Sequence, residues 1–140
     1  MLINNSQCYY LFEEERLDSF KTWVFDDKQA CNKFALAAAG FYKCKPGDAK
    51  SDDCACFFCG KTLSDWDPVD DPFKEHASHS PQCKFITLGR PQSELKMKEL
   101  VQLCQLWCEN KLNKAMEMEN ERRQRLFTQM NANIDSKLYK

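Results

Sequence analysis

Cys56-Phe57-Phe58-Cys59 sits mid-chain, with His76 following after sixteen intervening residues and Cys83 after six more. A Cys-x2-Cys pair brings two thiolates to one cation from a tight turn. The later His and Cys close a tetrahedron only if the chain folds back. Zinc accepts three sulfurs and one nitrogen without redox chemistry, and with four protein ligands no position is left for water. The stretch therefore predicts a structural metal site that staples a small domain. Spacing alone leaves the set open: Cys54 can stand in for Cys56, and His79 for His76, which would give His-x3-Cys. The strand pattern favours Cys56 and Cys59, which flank the turn.

Working outward, Cys54–Phe58 and Lys61–Trp66 read as two short strands of an antiparallel hairpin turning at Cys59-Gly60. Upstream, Phe41–Lys45 reads as a third strand, closed by Pro46-Gly47-Asp48. Helical spacing runs from Glu13 to Trp23, with acidic residues in the first turn. A second helix is predicted over Asn32–Ala39, with Asn32 as N-cap and Gly40 as the terminating glycine. Asp71-Pro72 begins a third, ending near His79 and placing His76 and His79 on neighbouring positions of one face. The aromatic residues, among them Phe20, Trp23, Phe25, Phe34, Phe41, Phe57, Phe58, Phe73 and Phe85, are expected to form the core. Trp66, between acidic residues at a strand end, is left open.

Beyond Pro91 the character changes. Residues 92–139 contain no Gly or Pro and are rich in good helix formers. A helix through most of this stretch is about 65–70 Å long at 1.5 Å per residue. Its apolar positions, including Leu100, Leu103, Trp107 and Leu112, cover a wide arc that rotates along the helix. Steps of eleven (Cys104, Ala115, Leu126) fit better than a strict heptad. Such a helix is marginal in isolation, and its apolar face calls for a partner, self or other. The expected architecture is α+β: a small zinc-stapled domain over 10–89, with a short three-stranded antiparallel sheet and short helices, then one long C-terminal α-helix over 92–140.

Bulk properties narrow the function classes. The charge is nearly balanced, with 20 Lys+Arg against 21 Asp+Glu. Residues 1–90 are net negative, which disfavours nucleic-acid binding by that segment. No apolar stretch approaches a membrane span. Nine cysteines, unevenly spaced and without an apparent secretory leader, suggest a reducing compartment rather than a disulfide framework. After Cys83 only Cys104 and Cys108 remain, too few ligands for a RING. No histidine precedes Cys56, as a zinc deaminase would need.

One order of residues is more specific than these classes. Arg16…Phe20-x2-Trp23, Ala39-Gly40-Phe41-Tyr42, Cys56-x2-Cys59, Leu63-x2-Trp66-x-Pro68, Asp71-Pro72-x2-Glu75-His76 and Cys83-x-Phe85 together resemble a baculovirus inhibitor-of-apoptosis repeat over about residues 16–87. The resemblance implies one structural Zn2+ on Cys56, Cys59, His76 and Cys83, and so resolves the histidine. Val24 departs from it, standing where the family often has proline.

A single repeat followed directly by a long helix is similar to one non-enzymatic branch of that family, subunits of the chromosomal passenger complex. The similarity implies that Lys61 and His79 meet the phosphate of a phosphorylated histone-three tail, and that Trp66 and Asp70 hold its N-terminal amine. Ser64 stands where that branch has an acidic residue. It implies that Leu100, Leu103, Trp107 and Leu112 bundle with borealin-like and inner-centromere-like helices, while a homodimer of the free chain is left open. No direct contact with nucleic acid or membrane is expected. The implied location is the nucleus, the chromosome and centromere, and the spindle midzone in mitosis, with some protein in the cytoplasm. The competing expectation is an apoptosis inhibitor whose groove captures caspases or the amino termini of pro-apoptotic proteins.

Overall fold

The computed structural model describes residues 10–139, and the loose polar lead expected over residues 1–10 lies, apart from Tyr10, outside them. The chain divides into two compact units, residues 1–100 and 101–140. The first carries α1 (Glu13–Asp18), α2 (Lys33–Ala38), β1 (Phe41–Lys43), β2 (Cys54–Cys56), β3 (Thr62–Leu63), α3 (Pro72–His79) and α4 (Lys84–Thr87). A 3-10 turn over Gln92–Glu94 precedes α5 (Met97–Leu138).

The three strands form one antiparallel sheet in the order β1-β2-β3. Phe41 pairs with Cys56 and Lys43 with Cys54, while Cys54 pairs with Leu63. The hairpin and its turn stand where the Cys-x2-Cys spacing put them. The strands are shorter than expected because Phe57–Gly60 curl into the ligand turn, closed by Gly60 N–H donating to Cys56 O.

The helices follow their caps. The Asn32 side chain accepts from Ala35 N–H, and Gly40 takes up a φ of +94° just past the end of α2. The Asp71 carboxylate accepts from Phe73 and Lys74 N–H, with Pro72 next to it in the first turn. α1 is the shortfall: it stops at Asp18 instead of Trp23. The Ser19 hydroxyl donates to Arg16 O and accepts from Lys43 N–H, so it is committed to ending the helix and joining β1. Residues 20–23 continue only as tight turns.

The core holds Phe20, Leu36, Phe41, Phe57, Phe58 and Phe85, but Phe34 is 50 % exposed and belongs outside it, on the solvent side of α2 beside Lys33. Fully burying each such ring contributes about 2–3 kcal/mol. Two basic residues are buried with them. Arg16 lies over the Phe57 ring and donates to Ala37 O, Tyr10 O, Leu11 O and Gln92 Oε1. Lys43 Nζ donates to Thr22 Oγ1 and Asp48 O, tying β1 to the loop beyond it.

α5 is a 42-residue α-helix that begins at Met97, five residues later than the sequence suggested. At 1.5 Å per residue it is about 63 Å long. It is not long and apolar enough to cross a membrane.

Candidate metal centre

Four elements converge on one point. Cys56 ends β2, Cys59 closes the turn after it, His76 projects from α3, and Cys83 stands just before α4. Their ligand atoms all lie within 4.8 Å of one another. Cys56 Sγ is 4.0 Å from Cys83 Sγ, and Cys59 Sγ is 3.6 Å from His76 Nε2. A zinc tetrahedron with Zn–S of about 2.3 Å and Zn–N of about 2.0–2.1 Å has edges of about 3.8 Å (S to S) and 3.6 Å (S to N). The donor set fits.

The surroundings orient each ligand. His76 Nδ1 lies 2.7 Å from Ala39 O, which fixes the proton on Nδ1 and turns the Nε2 lone pair to the thiolates. Phe58 N–H and Cys59 N–H donate to Cys56 Sγ, and the Ser80 hydroxyl donates to Cys59 Sγ. Burial pushes the Cys56 thiol up, whereas hydrogen bonds from Cys56 and Cys83 hold the Cys59 thiol well down. A divalent cation bound by all four ligands would hold the three sulfurs as thiolates.

The alternative ligands are placed elsewhere. Cys54 is fully buried two residues back along β2, with Sγ donating to Asp52 O. Burial pushes its thiol up, as it does that of buried Cys31. Both behave as small core side chains. His79 is exposed, with Nδ1 against Glu75 O at 2.9 Å and Glu75 Oε2 at 3.7 Å.

The other expected site residues flank this centre. Lys61 is exposed directly after the ligand turn, its carbonyl accepting from Cys56 N–H. The Ser80 contact to Cys59 joins the end of α3, where His79 stands, to that turn. Trp66 is 7 % exposed, packed edge-on against Phe41, and its indole N–H is buried without a hydrogen-bond partner among the described residues. Asp70 is half-buried and accepts from Asp67 N–H through Oδ2. Ser64 is exposed. On α5, Leu103 and Trp107 are buried, Leu100 is half-buried and Leu112 is exposed.

The backbone amides expected near Phe58 to Lys61 do donate to a ligand, but sequence reasoning did not find the other groups that hold the ligands in place. Ser80 and the Ala39 carbonyl have no motif of their own, although Gly40 marked where the chain must turn. Arg16 entered only as a point of resemblance, with no sign that it would be fully buried.

Comparisons with known proteins agree in extent with this geometry. A family model described as Inhibitor of Apoptosis domain matches residues 16–87, from the buried arginine to the last residue of α4. Baculoviral IAP repeat-containing protein 5.2-A of Xenopus laevis is 38 % identical over 120 residues, covering 86 % of this chain and 76 % of the relative. Baculoviral IAP repeat-containing protein 5 of Rattus norvegicus is 37 % identical over 116 residues, covering 79 % of this chain and 81 % of its own. Its Mus musculus counterpart is 39 % identical over 99 residues, covering 71 % and 70 %.

Proposed function

From the premise that the chain belongs to the Inhibitor of Apoptosis domain family, we propose that it is a survivin-like, non-enzymatic adaptor whose repeat reads a phosphorylated histone-three tail. One structural Zn2+ on Cys56, Cys59, His76 and Cys83 holds the two hairpin strands, α3 and α4 in register. The metal supplies cross-linking only; binding is the work of the side chains around it.

The observation that carries this reading is the buried Trp66 indole N–H, which meets no acceptor among the described residues. An unmade hydrogen bond there costs about 1–3 kcal/mol until a ligand brings an oxygen. A peptide's first carbonyl is such an oxygen, and Asp70, four residues on, suits the free ammonium beside it. Lys61 offers a cation to the phosphate and His79 a hydrogen bond. Ser64, lacking a carboxylate, weakens the grip on the amine.

In this reading α5 bundles with borealin-like and inner-centromere-like helices and carries the protein to the centromere, and later to the spindle midzone. Leu112 and half-buried Leu100 are the accessible members of the set expected to make that contact.

Titration calorimetry with two N-terminal peptides tests the proposal. One is a histone-three tail with phosphothreonine; the other is an Ala-starting peptide without phosphate. Tighter binding of the phosphopeptide, lost on Lys61→Ala or His79→Ala, is expected. If phosphate adds nothing while the Ala-starting peptide binds, the caspase-pathway reading replaces this one.

A further inference from the structure

Cys104 and Cys108 are the two cysteines after Cys83, and neither the metal centre nor the peptide-reading groove uses them. They stand four residues apart on α5, which puts both side chains on one face on successive turns, with Cβ atoms about 5–6 Å apart. Cys104 is half-buried and Cys108 exposed, so the pair opens to solvent on one side. The two thiols act on one another: burial, and then Cys108, push the Cys104 thiol up.

That spacing decides what the pair can do. A disulfide needs Cβ atoms about 3.5–4.5 Å apart, which an intact helix does not offer at this separation. One ion held between two sulfurs, with bonds of the length zinc makes (about 2.3 Å), spans up to about 4.6 Å, within reach of two side chains on successive turns. The ligand count then selects the ion. Among the described residues, the one cluster of three or more His, Cys, Asp or Glu groups is that of Cys56, Cys59, His76 and Cys83. Structural Zn2+ takes four donors and iron–sulfur clusters take four cysteines, so two thiols on a helix satisfy neither. Of the soft cations that thiolates favour, Cu(I) is left, and it is content with two sulfurs.

We propose that Cys104 and Cys108 form a second metal site, which takes one Cu(I) ion between their two sulfurs on a single chain. Each S–H bond gives way to an S–Cu bond and its proton goes to solvent, so two protons leave per ion and no electron moves. The filled pair carries a net charge of −1. Lys111, one turn beyond Cys108 and with Nζ 5.8 Å from the centre of the Trp107 ring, supplies a cation beside it. The bridge clips two turns of a helix that is marginal in isolation.

Competition for Cu(I), supplied without oxygen as its bicinchoninate complex, tests this on the zinc-loaded full chain. The parent should take up one equivalent and keep its zinc, read by elemental analysis. X-ray absorption at the copper edge should find two sulfur neighbours. Cys104→Ser and Cys108→Ser should each weaken retention by about a hundredfold or more, since losing a ligand costs at least what changes around a ligand do. Cys44→Ser, at another exposed thiol, should leave retention unchanged. Circular dichroism of each variant checks that the helix persists. Copper that enters only as zinc leaves overturns the proposal, because the ion has then gone to the repeat. So do single variants of Cys104 or Cys108 that hold copper as well as the parent, since one thiol, or two on different chains, would then suffice.

Discussion

His76 Nδ1 lies 2.7 Å from the carbonyl oxygen of Ala39, so the last turn of α2 sets the tautomer of a metal ligand on α3. The contact joins two helices through one buried imidazole, packed at 4.7 Å against the Phe41 ring. It makes the metal site and the core a single cooperative unit.

Zinc removal should therefore unfold the repeat. Metal binding contributes on the order of 10–16 kcal/mol in zinc-finger peptides, more than a domain of this size ordinarily has to spare. Elemental analysis should find about one zinc per chain. Chelation should abolish the near-ultraviolet dichroism of the buried aromatic residues. His76→Ala or Cys83→Ser should do the same with zinc present, whereas His79→Ala should leave zinc content unchanged.

Gly40 follows Ala39 and cannot be replaced. Its φ of +94° is strained for any side chain, and an added Cβ would lie 2.9 Å from Phe85 Cε1. Gly40→Ala should cost about 2–5 kcal/mol in denaturant unfolding of the zinc-loaded protein. Adding Phe85→Leu should recover the steric part of that loss and not the backbone part. The same change displaces the Ala39 carbonyl from His76, so zinc affinity should fall with stability.

How much of this was legible follows from where each determinant lies along the chain. The ligand turn, the Asn32 and Asp71 caps and the Gly40 stop are local, written within three or four residues, and each appears where the residues put it. The end of α1 was not legible, because it depends on Ser19 meeting Lys43 N–H across the fold. Nor was the exposure of Phe34, since an apolar residue in a short helix does not declare its face. Leu112 was grouped with Leu103 and Trp107 on a wide arc; the helix separates them by half a turn. The choice between His76 and His79 came from resemblance, not spacing. Its physical reason is visible only in three dimensions: buried His76 brings Nε2 to 3.6 Å from Cys59 Sγ, whereas His79 is exposed and its Nδ1 lies on the Glu75 carbonyl of its own helix.

The buried thiols predict a pH dependence. Burial, reinforced by Asp70, Asp52, Asp67 and Glu75, pushes Cys31 from 9.0 up to about 12. A group raised on folding contributes stability that is fully present below its unfolded value and lost as pH rises toward the folded one. The urea midpoint should therefore be flat around neutral pH and fall between about pH 9 and 12, with a smaller fall in Cys31→Ala. At pH 7.5, iodoacetamide followed by peptide mass mapping should label exposed Cys108 readily. Buried Cys31 and Cys54 should react only after unfolding.

Arg16 gives the sharpest test of the core. Its guanidinium is wholly buried and reaches three backbone carbonyls and Gln92 Oε1, while Gln92 Nε2 donates to Leu11 O in return. Burial lowers its pKa to about 10, so it remains charged at neutral pH. Lysine cannot reproduce that fork, because a single ammonium cannot reach Ala37 and Gln92 with planar, divergent donors. Arg16→Lys should leave buried carbonyls unpaired and cost about 3–5 kcal/mol. Gln92→Ala should cost about 1 kcal/mol, since it removes one acceptor and one donor near the surface. In thermal melts of the zinc-loaded proteins, Arg16→Lys should show a drop several times that of Gln92→Ala, with zinc content unaltered in both. Equal, small drops would mean that the guanidinium acts only as a filler over Phe57, and that its hydrogen bonds contribute nothing to the repeat.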